Sequence, residues 1–347
     1  MGRSKGKRET PVPQVEVSKG VPQIDILKAF AVIAVILLHA LPAGVFLAIG
    51  GPFYFWQAVP IFLVVAGFTG AFAYKKYGAT TLRQCYDPPL LFRRFKRLLI
   101  PFAICWVIEI VMLYYLAPDR LAGVSLPLNF ITGGFGWGAY FIPLILQSVL
   151  IVPLLYLLAR RSPDWMVIFA LAVNIVFDVV VYFAGWPPDQ TAPIYLRFIF
   201  AGALGVWIVT QKKRNNTVLA IGGLVSLIYI GLSCYTPLFT SFPGFTEYAA
   251  VLQAPAFMWT VILVLAGLAY LPANSPTLIK IGKASWHIFF VQLLYFFAPA
   301  TFVYERLLIP LSSGSEGAFV MMIITTDIII CVGLGYCWYR TESRIMT

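Results

Sequence analysis

Residues 24–41, IDILKAFAVIAVILLHAL, decide the fold, because three ionisable side chains are set in a segment otherwise apolar enough to cross a bilayer. A helix of that length, at about 1.5 Å per residue, approaches the roughly 30 Å thickness of a hydrocarbon core. Asp25 and Lys28 stand at its start, and His39 follows Lys28 by eleven residues. With Lys28 at the membrane surface, His39 is expected roughly 16 Å deeper, near the middle of the apolar layer. An imidazole at that depth faces a bundle interior or a water-filled cavity, which makes it a candidate functional group. The plainer alternative is a packing histidine bonded to a neighbouring helix.

Composition extends the same reading to the whole chain. Its 347 residues are 60% hydrophobic and 11% charged, with mean hydropathy +0.86, a profile that excludes an ordinary soluble domain. Apolar segments fall at about 24–45, 53–74, 98–117, 137–159, 165–184, 194–211, 217–235, 254–271, 284–303 and 317–339. The fold class predicted is all-α, a polytopic bundle of about ten transmembrane helices. Residues 1–20 read as a flexible basic cytosolic tail, and 21–347 as one transmembrane domain.

A net charge of +11 invites a nucleic-acid reading, but the basic residues cluster between apolar segments. Lys75, Lys76, Arg93, Arg94, Arg160 and Arg161 follow even-numbered segments, whereas the opposite side holds only Arg120, Arg197 and Arg306. That asymmetry is a topology signal, not a nucleic-acid footprint, and it places both termini in the cytosol. Five cysteines without a C-x-x-C pair indicate neither a disulfide framework nor a metal site. Pro60, Pro101, Pro143, Pro153, Pro255 and Pro299 fall inside the apolar segments and predict kinked helices around a cavity.

Candidate chemistry is sparse. His39 and His287 are the only histidines, and His287, near Lys283, reads as an interfacial side chain. In LLFRRFKRLLIPF, Arg93, Arg94, Lys96 and Arg97 reach the membrane together. Arg94 and Arg97 share a helix face, and forked donors of that kind suit a polyphosphate, although a headgroup anchor uses the same residues. Glu109 follows Arg97 by twelve residues. It is expected at about the depth of His39, where a carboxylate is able to accept the imidazole N–H, with contact between the two left open. Asp25 is read either as the partner of Lys28 one turn on or as a catalytic group, and Asp178 with Arg197 as a structural ion pair.

IDILKAFAVIAVILLHA resembles the first helix of the acyltransferase 3 family, integral-membrane enzymes marked by a basic residue, ten residues and then His. AVPIFLVVAGF is similar to its second-helix pattern with Ala66 in place of Ser, and Arg94 and Arg97 fit its Arg-x-x-Arg motif. GWGAYFIPLIL and IGKASWHIFFVQ resemble further segments, in the expected order. Lys28 stands where Arg is usual, Trp286 replaces Tyr, and Gln292 stands where many members have His. The carboxylate that some members carry in the fourth helix is missing between Trp137 and Pro143, leaving that job vacant or taken by Glu109.

The resemblance implies transfer of an acyl group, most often acetyl, from acetyl-CoA or another acyl-CoA to a hydroxyl. The acceptor it implies is a cell-surface glycan, a lipid-linked sugar or another exported molecule, at the plasma or inner membrane. His39 would act as general base or as nucleophile, Glu109 is a second catalytic candidate, and Lys28, Arg93, Arg94 and Arg97 hold the donor. No metal is called for. Membrane lipids are the surrounding partner, and the oligomeric state is left open. The rival reading is a proton-coupled secondary transporter using Asp25, His39, Glu109 and Asp327 as a relay.

Overall fold

The computed structural model describes residues 20–212, 215–236, 252–312 and 315–345. The basic tail, and most of the expected exterior loop at 236–253, lie outside the described residues. Each of the ten apolar segments is helical: α1 Pro22–Ala40, α2 Ala58–Lys76, α3 Pro88–Leu116, α4 Phe141–Arg161, α5 Pro163–Ala184, α6 Ile199–Thr210, α7 Asn216–Tyr235, α8 Phe257–Tyr270, α9 Ser285–Phe297 and α10 Glu316–Ile345. No strand occurs among the described residues. Seven of these helices are long and apolar enough to cross a membrane. An eighth span results when α9 and the helical stretch after it are taken together across a 63° bend, while α6 and α8 belong to shorter apolar helices.

Helix ends follow local chemistry more than hydropathy. The first apolar segment was expected to run to residue 45, but α1 stops at Ala40. Pro42 biases the residue before it away from helical geometry, and Leu41 is extended at φ −80° and ψ 135°. The chain then folds back through the short helices Ala43–Ala48 and Gly51–Tyr54 before α2. Conversely, α3 starts at Pro88, ahead of its apolar segment, where Asp87 caps the amide of Leu90 and two prolines take the first helical positions. Of the six prolines, Pro101 and Pro153 lie inside helices. Pro60 and Pro143 sit in first turns, and Pro255 and Pro299 at breaks, where a missing N–H costs little.

Small residues set the closest helix approach. A Cβ on Gly67 of α2 would stand 2.1 Å from the carbonyl oxygen of Gly202 in α6, and one on Gly205 would stand 1.9 Å from that of Val64. Only glycine permits such backbone contact, the usual device where lipid supplies no hydrophobic drive between helices. At the other side of the bundle, Gly282 of the short helix Pro276–Lys283 lies against the backbone of Asp25 and fixes the start of α1.

The expected Asp178–Arg197 ion pair is not a direct contact. Asp178 accepts from Asn174 at 3.0 Å and Arg197 donates to Thr191 at 3.1 Å, leaving Arg197 and Asp178 coupled only through their charges. Asn174 lies one helical turn before Asp178 and so reaches it without distorting α5.

Candidate active site

Because α1 ends at Ala40, His39 sits in its last turn and not in mid-helix. The side chain lines a cavity of about 620 Å³ together with Phe46 and Leu47, Trp56 and Val59, Trp137 to Phe141 without Ala139, and Phe289. The Trp137 ring stands edge-on to the imidazole at 6.4 Å between centroids, and Phe296 is tilted against it at 5.6 Å. Among the described residues the imidazole makes no hydrogen bond with the protein, so the structure assigns it no packing partner of the kind the plainer reading required.

Glu109 is buried, at 1% exposure, yet it does not meet His39. Its Oε2 accepts the Phe135 amide at 3.1 Å, and its Oε1 has no hydrogen-bond partner. Equal depth along two helices was therefore not contact: the loop 133–140 lies between the two residues. Glu109 reaches that loop at Phe135, and the His39 Nε2 reaches it at Gly138, where a Cβ would stand 3.8 Å away. The same loop is braced by Asn129, which takes the Trp106 indole N–H at 2.8 Å and donates to the Gly134 carbonyl at 3.1 Å.

The opposite end of the helices is basic. Lys28 pairs with Asp25 at 2.6 Å, one turn apart, as the first of the two readings of Asp25 had it. Arg94 donates to the Tyr74 hydroxyl at 2.6 Å and lies 4.9 Å from the centre of that ring, while Arg93 and Arg97 are exposed. From Lys28 to His39 the rise along α1 is roughly 16 Å, and from Arg97 to Glu109 along α3 roughly 18 Å, so the cationic end and the cavity are separate levels of one bundle.

His287 departs from its expectation as an interfacial side chain. It is buried, its Nε2 lies 2.7 Å from Glu342 Oε2 of α10, and Trp338 and Tyr339 stand edge-on around it. Trp286 beside it donates to the Leu98 carbonyl at 3.4 Å, which ties α9 to α3 just beyond Arg97.

Sequence reasoning missed Tyr74, Trp137, Glu342 and the Gly134–Gly136 turn. A tyrosine placed to stack on Arg94 and a glycine-rich turn before the fourth segment were visible in the sequence, but nothing local joined them to Arg94 or Glu109.

The acidic groups of the proposed relay are tied up separately: Asp25 with Lys28, Glu109 with Phe135, and Asp327 with the hydroxyls of Tyr295 and Tyr304. Among the described residues no direct hydrogen bond links one to the next.

The apolar helical bundle thus places an imidazole in an aromatic cavity near the end of α1 and forked cations in the first turns of α3. The acyltransferase domain of the acyltransferase 3 family matches residues 21–338, and the chain belongs to that family, making it a membrane acyltransferase. No curated protein and no solved structure matches it.

Proposed function

We propose that the protein moves an acyl group, acetyl in the first instance, from acyl-CoA to a hydroxyl of a cell-surface glycan, lipid-linked sugar or other exported acceptor. The observation that carries this reading is the His39 imidazole on the wall of a cavity of about 620 Å³, without a hydrogen bond to the protein among the described residues. A histidine held only by ring contacts keeps a nitrogen available for proton transfer. Trp56, Trp137 and Tyr140 on the same wall suit the apolar face of a sugar ring.

In this scheme the phosphates of the donor rest at the cationic end, on Arg93, Arg94, Arg97 and Lys28, and the pantetheine arm runs along the helices to the cavity. His39 takes the proton of the acceptor hydroxyl as its oxygen attacks the thioester carbonyl. The tetrahedral adduct then collapses, breaking the C–S bond, and the imidazolium returns the proton to the departing thiolate. Both termini lie in the cytosol, and the membrane is the plasma or inner membrane.

Radiolabelled acetyl-CoA supplied to the purified protein, with and without an exported glycan fraction, tests the scheme. Label should pass to the glycan fraction and none should stay on the protein. Label retained at His39 would make it a nucleophile forming an acyl-imidazole, and no thioester loss with any acyl-CoA would overturn the donor assignment.

A further inference from the structure

One stretch of the cavity wall beside His39, Trp137, Gly138 and Tyr140, is not helical. It belongs to the loop 133–140, and a loop holds a shape only where its backbone groups are satisfied. Two side chains perform that task from outside it: Asn129 takes hold of the Gly134 carbonyl at 3.1 Å, and Glu109 accepts the Phe135 amide at 3.1 Å.

The fit around Glu109 is close enough to read as a cradle. Gly134 adopts φ 102°, a left-handed conformation that favours glycine, and a Cβ there would stand 2.6 Å from Glu109 Oε2. On the other flank, a Cβ on Gly136 would stand 2.9 Å from Oε1. Both carboxylate oxygens therefore lie close against this backbone, and at Gly134 the left-handed φ itself favours glycine. Two residues further along, Trp137 and Gly138 meet the imidazole.

We infer that Glu109 is a positioning residue: through the Phe135 amide it fixes the loop 133–140, and the loop in turn sets the wall against which His39 receives its substrate. The carboxylate takes no proton from substrate and does not orient the imidazole directly. This inference rests on the role proposed for His39, and it gives Glu109 a different part from the catalytic role expected from the sequence.

Glu109→Gln keeps a side-chain oxygen able to accept the Phe135 amide, whereas Glu109→Ala removes the acceptor and leaves a half-buried N–H without its side-chain partner. In the full-length protein, Glu109→Gln should keep kcat within about threefold of wild type and Glu109→Ala should lower it by tenfold or more, roughly the scale for a displaced reacting group. KM for acetyl-CoA should hold in both, since the donor-binding residues lie at the other end of α3. Gly136→Ala, whose methyl would crowd Oε1, should reproduce the loss with the carboxylate intact.

Hydrogen exchange of the peptide covering 133–140 supplies the readout that activity cannot. Exchange should quicken in Glu109→Ala and Gly136→Ala and stay slow in Glu109→Gln. An equal loss of kcat in Glu109→Gln and Glu109→Ala, with the loop protected in the former, would overturn the inference and make the ionised carboxylate part of the chemistry. Wild-type turnover or unchanged exchange in Glu109→Ala would overturn it as well. His39→Ala, run alongside, separates the two claims: full activity there sinks the role of His39, while exchange still decides whether Glu109 holds the loop.

Discussion

The two ends of α1 carry a lysine that is paired and a histidine that is not. Lys28 is held by Asp25, as Arg94 is held by Tyr74 and His287 by Glu342. At the cavity end the imidazole of His39 has aromatic neighbours and no hydrogen bond with the protein among the described residues. The imidazole lines the cavity, so a nitrogen without a protein partner there is left for what the cavity holds. At the cationic end, by contrast, Lys28 and Arg94 are each held by a partner, while Arg93 and Arg97 are exposed.

That contrast can be broken most severely at the cationic end by Arg94→Ala together with Arg97→Ala. If forked donors grip the donor phosphates, each loss should weaken acetyl-CoA binding by about tenfold, the scale of a charge-assisted hydrogen bond, and the weakening should shrink as salt rises. Equilibrium binding across ionic strengths checks it, and equal affinity in all variants would leave the arginines as headgroup anchors only. Arg94→Lys should fall between, because it keeps the charge but loses the fork and its stacking on Tyr74.

A smaller effect is expected from Glu342→Gln. It replaces a charge-assisted contact to a buried histidine with a neutral one, and should cost about 1–2 kcal/mol of stability. Thermal unfolding of the detergent-solubilised protein should show a drop of a few degrees, with turnover at the permissive temperature preserved. A collapse of turnover at unchanged stability would instead move His287 into the chemistry.

The smallest effect should come from Asp25→Asn. The Lys28–Asp25 pair is partly exposed, so its loss should cost less than about 1 kcal/mol. Freed from its partner, Lys28 should bind acetyl-CoA no worse than before, and a loss of affinity would show that Asp25 orients it.

Much of the fold was legible because long apolar segments have few alternatives in a bilayer, and each of the ten became a helix. Their ends were less legible. Hydropathy ran α1 through Leu41 and Pro42, where proline geometry stops it, and it began α3 too late because Phe92 and Phe95 alternate there with arginines and lysine. The site divides in the same way. His39 stood out as one of two histidines and the only one far inside an apolar segment, and Arg94 and Arg97 stood out by spacing. Glu109 was found by depth with its contact to His39 left open, since depth along a helix says nothing about the direction a side chain faces; the structure turns it to the Phe135 amide. The loop that actually receives it is more than twenty residues away in sequence, and Glu342 is fifty-five residues from His287. Such pairings exist only once the helices are packed.

The most direct test of the unpaired imidazole is thioester consumption by purified protein, wild type against His39→Ala, at equal thermal stability. The account predicts a loss of at least about a hundredfold, the lower bound for removing a positioned general base. Wild-type turnover by His39→Ala would contradict it.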